Sequence, residues 1–276
     1  MSKVAFITLG CKVNQYETNA MSQEFIGKGY EVVEHHEKAD IYVINTCTVT
    51  NMSDRKSRQM LRRVKELNPN SIVIACGCYV QVAKDEVAKI EDIDLILGNN
   101  EKKNIVEHLE QYQKDKKRQL EIEDLMQQRE FIEFGDVTYT EKTRAVVKIQ
   151  DGCDRFCSYC IIPYARGRVR SRKPEGIISE ITKIAQEGIK EVVITGIHVA
   201  SYGKDFKENY GLIDLLEDLN KIKGIERIRL SSIEPLILDE QFINRLSKLE
   251  KICHNFHLSL QSGCDETLKR MNRRYN

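Results

Sequence analysis

Short apolar runs alternate with amphipathic segments along the first hundred or so residues. Four runs rich in aliphatic and β-branched residues predict buried parallel strands, at 4–7, 41–44, 72–74 and 95–97. Segments with helical spacing follow these runs, at 16–28, 53–67, 81–90 and 102–112. This alternation is typical of a doubly wound parallel α/β domain, which we place at residues 1–113.

The alternation weakens after residue 113 and resumes after residue 143. The weak stretch holds a basic KDKKR run and then an acidic, amide-rich segment, and we interpret 114–143 as a linker. Strands are then predicted at 145–149, 191–194, 225–230 and 256–260, and helices at 175–186, 212–222, 239–247 and 265–271. At roughly 30 residues per βα unit, residues 144–276 hold about four units, fewer than a complete barrel needs. We therefore expect a partial TIM-like barrel, truncated at its C-terminus.

Composition narrows the class of protein. Of the 276 residues, 41% are hydrophobic, which suffices for a substantial core. No apolar run approaches the roughly 20 residues of a membrane span, and the N-terminus lacks the features of a signal peptide. We expect a cytoplasmic protein without a membrane partner. The nine cysteines are odd in number and scattered, which favours metal binding over a disulfide framework.

Three closely spaced cysteines follow the predicted strand 145–149. Cys153, Cys157 and Cys160 would lie on the loop at the carboxyl end of that strand, where barrel active sites are built. Three thiolates hold three irons of a [4Fe–4S] cluster, which leaves the fourth iron open to the amino and carboxylate groups of S-adenosylmethionine (SAM). Reduction then cleaves SAM to a 5′-deoxyadenosyl radical. Cys-x-x-Cys alone also occurs in zinc sites and redox pairs, but the upstream Cys153, the neighbouring Tyr159 and the preceding strand favour a radical SAM cluster.

A second set of cysteines is spread over the first domain. Cys11, Cys47 and Cys78 each follow one of its predicted strands. Because the loops beyond the carboxyl ends of parallel strands meet at one edge of an open sheet, we expect these three thiols to lie together. The sequence therefore predicts a second, auxiliary [4Fe–4S] cluster. The alternative for each cysteine alone is a small buried apolar residue, and we expect Cys76 to pack in that way.

Basic residues are concentrated around the first of these motifs. The segment from Arg144 to Lys173 holds eight basic residues against two acidic ones. Four of them alternate with other residues and would share one face of an extended segment: Arg166, Arg168, Arg170 and Arg172. Such a row suits the phosphate backbone of a nucleic acid. A second basic set, on the helix predicted at 53–67, is more typical of a solvated face: Arg55, Arg58, Arg62 and Lys65.

At these positions the sequence resembles the methylthiotransferase family of radical SAM enzymes. The matching stretches span almost the whole chain: TLGCKVN at 8–14, NTC at 45–47, GCY at 77–79, the Cys153 to Cys160 loop with PYARGR at 163–168, and LSLQSG at 258–263. Two separate three-cysteine sets in this order make the resemblance specific. The LGCKVN variant is most similar to the branch that acts on N6-threonylcarbamoyladenosine (t6A) beside the tRNA anticodon.

The resemblance implies a reaction in two stages with two SAM molecules. One gives a methyl group to sulfur held at the auxiliary cluster, and the other gives the radical that removes hydrogen from C2 of the adenine. The implied partners are the tRNA anticodon stem-loop, a reductant protein and a sulfur donor. The implied SAM pocket comprises Tyr159, Thr195, Gly196, Ser232, Glu234 and Gln261. Members of the family continue into further barrel strands and a C-terminal RNA-binding TRAM domain, which we expect to be absent from this chain.

Other functions stay open at this point. Within the family, the substrate is alternatively isopentenyladenosine in tRNA or an aspartate of a ribosomal protein. Outside it, the alternatives are a non-catalytic iron–sulfur carrier and a zinc-dependent RNA-binding module. A carrier has no need of an open iron followed by barrel units, so the enzyme is favoured.

Overall fold

The computed structural model describes residues 1–135, 137 and 143–276, which form two compact units. Unit 1 contains Met1–Met126, the described residues from Ile132 to Val137, and Tyr164–Arg166. Unit 2 contains Gln127–Phe131, residues 143–163, and Gly167–Asn276.

Unit 1 is built on a parallel sheet. Its described strands are β1 (Lys3–Thr8), β2 (Glu31–Val33), β3 (Ile41–Thr46), β4 (Ile72–Gly77), β5 (Leu95–Leu97) and β6 (Gln119–Glu121). They lie in the order β2-β1-β3-β4-β5-β6, and every neighbouring pair is parallel. The four strands predicted from apolar runs are confirmed as β1, β3, β4 and β5. Both additional strands, β2 and β6, are three-residue edge strands.

Helices cover both faces of this sheet. They are α1 (Lys12–Gly27), α2 (Asn51–Leu67), α3 (Cys78–Val82), α4 (Lys84–Val87) and α5 (Ile105–Asp115), with a 3₁₀ turn at Glu101–Asn104. Alternate residues of β3 point to opposite faces, so Tyr42 packs in one core with Leu61 of α2, whereas Val43 packs in another with Phe25 of α1. A strand buried on both faces explains the unbroken apolar run at 41–44. The predicted doubly wound α/β fold is confirmed.

Unit 2 has a shorter sheet and its own helices. The described strands β7 (Arg144–Asp151), β8 (Arg170–Ser171), β9 (Glu191–Gly196) and β10 (Arg227–Leu230) lie in the order β10-β9-β7-β8. All pairs are parallel except β7 with β8. The helices are α6 (Ile162–Arg166, ending in unit 1), α7 (Pro174–Gln186), α8 (Leu212–Asn220), α9 (Glu240–Leu246) and α10 (Asp265–Arg270), with 3₁₀ turns at Val199–Ser201 and Pro235–Ile237. This arrangement is the partial, curled barrel that was expected.

Two sequence predictions need correction. The strand predicted at 256–260 is wrong, because this segment makes a single parallel bridge, between Ile233 and Leu258. The linker predicted at 114–143 begins too early, because α5 runs to Asp115 and β6 pairs with β5. Residues 136 and 138–142 of that segment lie outside the described residues. Within the part of the chain that is described, no helix combines the length and the apolar character needed to cross a membrane.

Candidate metal centres

The first cysteine set lies at the carboxyl edge of the unit 1 sheet. Cys11 directly precedes α1, Cys47 follows β3, and Cys78 is the first residue of α3. The strand order places β1 beside β3 although β2 lies between them in sequence. Ligands of open α/β sheets bind at such a switch in strand order. Cys47 and Cys78 are buried, whereas Cys11 is exposed.

Two glycines allow the loops of this set to approach closely. Gly10 has a φ of +100°, and a Cβ built on it would lie 2.4 Å from the Cys47 Sγ. Gly77 has a φ of +101°, and its Cβ would lie 2.4 Å from the Thr46 carbonyl oxygen. Only glycine fits both the left-handed backbone and the contact. These residues bring Cys47 against the loop of Cys11 and set the backbone immediately before Cys78.

Asparagine side chains hold the same loops in place. The Asn14 amide donates to the carbonyl oxygens of Leu9 at 2.8 Å and Thr46 at 2.9 Å. The Asn45 amide donates to the Asn14 carbonyl oxygen at 3.0 Å. The amide donors of both side chains are therefore taken up by backbone carbonyls and by the Thr18 hydroxyl. They therefore fix the loops on which Cys11 and Cys47 lie.

A buried ionic cluster adjoins Cys78. The Arg166 Nε–H donates to the Cys78 Sγ at 3.1 Å, and its two terminal nitrogens donate to the Glu17 carboxylate. The Lys102 Nζ donates to the same carboxylate at 2.6 Å. Arg166, Glu17 and Lys102 are at most 1% exposed. The expectation that Arg166 faces nucleic acid is therefore wrong for this structure.

The second cysteine set lies on the loop after β7. Gly152 has a φ of +70°, and a Cβ on it would lie 1.8 Å from the Arg168 carbonyl oxygen. The Cys153 amide donates to the Gly167 carbonyl oxygen at 3.0 Å, and the Cys160 amide donates to that of Cys157 at 3.0 Å. Burial raises the pKa of the Cys153 thiol to about 11, so a metal bound there must displace a proton.

Charged side chains surround this loop. The Arg273 guanidinium donates to the Cys157 Sγ at 3.2 Å and lies 3.0 Å from the buried Glu234 carboxylate. Glu234 also accepts from Arg155 and lies 3.3 Å from the His198 Nε2. Burial pushes the pKa of Glu234 upward, but His198, Arg155 and Arg273 outweigh it and hold the pKa below its ordinary value. Sequence reasoning missed the roles of Arg155, His198 and Arg273, because no local pattern links them to the cysteines.

Neither cysteine set has the close spacing of a formed zinc site among the described residues. Among residues 1–135, 137 and 143–276, neither set has three cysteine sulfurs within 4.8 Å of one another. A tetrahedral zinc with Zn–S bonds of about 2.3 Å needs sulfurs about 3.8 Å apart. Each set supplies three thiols, the number that a [4Fe–4S] cluster needs when its fourth iron stays open.

The residues predicted for the SAM pocket lie around the second set but differ in exposure. Thr195 is buried near the end of β9, and a Cβ on Gly196 would lie 3.0 Å from the Gln150 carbonyl oxygen. Tyr159, Ser232 and Gln261 are exposed, and the Ser232 hydroxyl lies 2.6 Å from the His257 Nδ1. Glu234, as described, pairs with Arg155. Their assignment to SAM stays a prediction.

A cavity of about 750 Å³ opens beside the loop of the second set, within unit 2. Its lining includes Arg155, Tyr202, Lys204, Tyr210 and Arg245. The volume lies in the usual range for small-molecule sites. None of the residues predicted for the SAM pocket lines it.

The predicted row of arginines does not form one exposed face. Arg170 is 1% exposed and lies 3.7 Å from Asp151, and Arg172 is 4% exposed and donates to Glu180. Arg168 alone of the four keeps an exposed side chain, 41% accessible, 3.5 Å from Asp154. Alternation in an extended segment fixes which side chains share a face, but it does not say that the face is open to solvent.

Comparison with protein families identifies both units. Residues 3–98 match the model described as uncharacterized protein family UPF0004, and residues 147–276 match the radical SAM superfamily. The chain is 45% identical to the threonylcarbamoyladenosine tRNA methylthiotransferase MtaB of Aquifex aeolicus and 42% identical to that of Bacillus subtilis. It is 36% identical to a tRNA-2-methylthio-N(6)-dimethylallyladenosine synthase of Clostridium botulinum. These matches cover 98–100% of the chain, which spans 61–66% of the length of the relatives.

Solved structures share the fold. The radical SAM methyltransferase TsrM from Kitasatospora setae matches with a TM-score of 0.67 at 14% identity, covering 100% of this chain and 63% of TsrM. The cobalamin-dependent SAM radical enzyme OxsB matches with a TM-score of 0.60 at 12% identity, covering 100% of this chain and 46% of OxsB. At these identities the likeness concerns the fold alone.

Proposed function

Since the chain belongs to the radical SAM methylthiotransferase family, we propose that it converts t6A in the tRNA anticodon stem-loop to its 2-methylthio derivative. One observation supports this proposal above the others: two separate cysteine triads, each beyond the carboxyl ends of parallel strands in its own sheet. Replacing an inert C–H hydrogen of adenine by a methylthio group requires both a radical source and a sulfur carrier. Two such centres on one chain meet that requirement.

The two triads take different roles in this proposal. Cys153, Cys157 and Cys160 hold the cluster that binds SAM, and Cys11, Cys47 and Cys78 hold the auxiliary cluster. When bound, the two clusters and SAM supply the radical, the sulfur and the methyl group, with electrons from a reductant protein and sulfur from a donor. We place these reactions in the cytoplasm.

The protein's own residues prepare the site for SAM. Arg155, His198 and Arg273 hold the Glu234 carboxylate ionised at the loop of the second set. An ionised, buried carboxylate suits the amino group of SAM. Thr195, Gly196 and Ser232, at or after the carboxyl ends of β9 and β10, and the more distant Tyr159 and Gln261 complete the proposed pocket.

The degree of similarity favours t6A as the substrate. Two enzymes named for t6A are 42–45% identical to the chain, others named for t6A are 36–37% identical, and an enzyme named for dimethylallyladenosine is 36% identical. A t6A base carries a carboxylate that dimethylallyladenosine lacks. A direct assay with both modified anticodon stem-loops distinguishes the two substrates, and an aspartate-containing ribosomal peptide tests the protein branch.

We propose that α2 supplies part of the tRNA-binding surface in place of the buried arginines. Arg55, Arg58, Arg62 and Arg63 line a shallow groove of about 410 Å³ on this helix together with Gln59. Arg58 is held against the Tyr79 ring, with its guanidinium carbon 5.7 Å from the ring centre, and donates to the Tyr79 hydroxyl at 3.3 Å.

The proposed function is tested first by counting iron and sulfide in anaerobically reconstituted protein. Wild type should bind about eight irons, falling to about four in the Cys153/Cys157/Cys160→Ala protein and in the Cys11/Cys47/Cys78→Ala protein. With SAM, reductant and t6A-containing RNA, the wild type alone should form the methylthio product. Four irons or fewer in the wild type, zinc in their place, or full iron without any SAM cleavage would contradict the proposal; the last result would favour an iron–sulfur carrier.

A further inference from the structure

Arg166 is a buried cation whose donor points at a sulfur. The side chain is fully buried, and the Nε–H donates to the Cys78 Sγ at 3.1 Å. A buried guanidinium group has to be paired and to have its hydrogens satisfied, so the partners of Arg166 indicate what this position does.

The guanidinium group is held by two further partners on α1. Its terminal nitrogens donate to the Glu17 carboxylate and, at 2.5 Å, to the Asn14 Oδ1. With the terminal nitrogens fixed on that side, the planar group has one orientation, in which Nε faces Cys78. The bond to sulfur is therefore a consequence of a rigid arrangement and not of a flexible surface side chain.

The Glu17 carboxylate is shared by two buried cations. Glu17 accepts from both Arg166 and Lys102, so two cations share one carboxylate beside Cys78. Reducing an iron–sulfur cluster adds negative charge to the cluster and its thiolates. Hydrogen bonds to the sulfurs and nearby positive charge stabilise the reduced form and raise the reduction potential.

We propose that Arg166 is a positioning residue that raises the reduction potential of the auxiliary cluster through its hydrogen bond to the Cys78 sulfur. The inference rests on the proposed function in one respect, that Cys11, Cys47 and Cys78 hold a cluster. It assigns to Arg166 a role toward that cluster in place of the nucleic-acid contact expected from its sequence position.

The test measures the auxiliary cluster alone. In the Cys153/Cys157/Cys160→Ala protein, a redox titration followed by EPR gives the midpoint potential of the cluster that remains. Arg166→Gln should shift this potential to a more negative value, because the guanidinium donor and its charge are removed. Arg168→Gln, which removes an exposed arginine two positions away, is the matched control and should leave the potential unchanged.

The variant is expected to fold, since Lys102 still neutralises Glu17 when Arg166 is replaced. If Arg166→Gln nevertheless loses iron, the Glu17→Gln/Lys102→Gln/Arg166→Gln protein removes all three buried charges and should show the same negative shift. A shift no larger than that of Arg168→Gln in a protein with full iron would overturn the inference and leave the proposed function standing. No cluster at all in the parent protein would instead contradict the proposed function.

Discussion

Replacing Gly152 by alanine should damage the loop of the second cysteine set selectively. The glycine has a φ of +70°, and an added Cβ would lie 1.8 Å from the Arg168 carbonyl oxygen. A left-handed backbone costs an L-residue about 1–2 kcal/mol, and alanine regains about 0.4–1 kcal/mol through the unfolded chain. Relieving the contact requires a backbone shift, for which overpacking costs of about 1–3 kcal/mol are typical. We expect a net loss of about 1–5 kcal/mol in the unfolding free energy of unit 2.

Gly188→Ala separates the cost of the left-handed backbone from the cost of the steric contact. Gly188 has a φ of +87°, but a Cβ there would meet nothing within 4 Å. This control should lose at most about 1.6 kcal/mol, since it bears the backbone cost without the clash. The chain has no tryptophan, so urea unfolding is followed by circular dichroism. In a Cys11/Cys47/Cys78→Ala background, Gly152→Ala should also bind less iron than Gly188→Ala. Equal midpoints and equal iron in the two proteins would refute the steric argument.

Two further predictions concern charge. Burial, and then the nearby Glu107, raise the pKa of the Glu24 carboxyl from an ordinary 4.5 to about 7. Between pH 4.5 and pH 7 the folded protein therefore keeps a proton that the unfolded chain has released. The stability that comes from this proton is lost as the pH rises through 7. Glu24→Gln should therefore be more stable than wild type at pH 8, by about 1 kcal/mol after solvent screening, and equal to it at pH 4; a thermal midpoint difference that does not grow with pH contradicts this. The Arg55/Arg62/Arg63→Gln protein should bind an anticodon stem-loop with a salt dependence, log Kobs against log salt, shallower by about 2–3. The control protein has Gln in place of three exposed lysines, Lys38, Lys103 and Lys114. An equal loss of slope in this control would indicate non-specific attraction.

The central strands can be predicted from the sequence because a strand that is buried on both faces consists of consecutive apolar residues. β3 is apolar at consecutive positions, since it packs against helices on both faces. The edge strands β2 and β6, with sequences EVV and QLE, carry no such signal. They are strands because a neighbour offers unpaired backbone groups, and pairing of this kind is not visible in a three-residue pattern.

The opposite error occurs at 256–260, where an alternating pattern predicts a strand. Phe256, Leu258 and Leu260 are 41–53% exposed, and the segment makes one bridge to Ile233. Alternation shows that one face is apolar, but a strand also requires a neighbour along its whole length. The positions of the cysteines were predictable because each follows a strand or precedes a helix, whereas Arg273 contacts Cys157 across 116 residues of sequence.

Both cysteine sets combine a sulfur, a guanidinium donor and a buried carboxylate. In unit 1, Arg166 donates to Cys78 while Glu17 accepts from the same guanidinium. In unit 2, Arg273 donates to Cys157 and pairs with Glu234. In each set the carboxylate pairs with the arginine, and the sulfur accepts from another nitrogen of the same guanidinium. Counting basic residues along a segment therefore overstates the charge available to RNA, because part of that charge is committed inside the units to carboxylates and sulfurs. A tRNA surface has to be sought among arginines that the fold leaves exposed, as on α2.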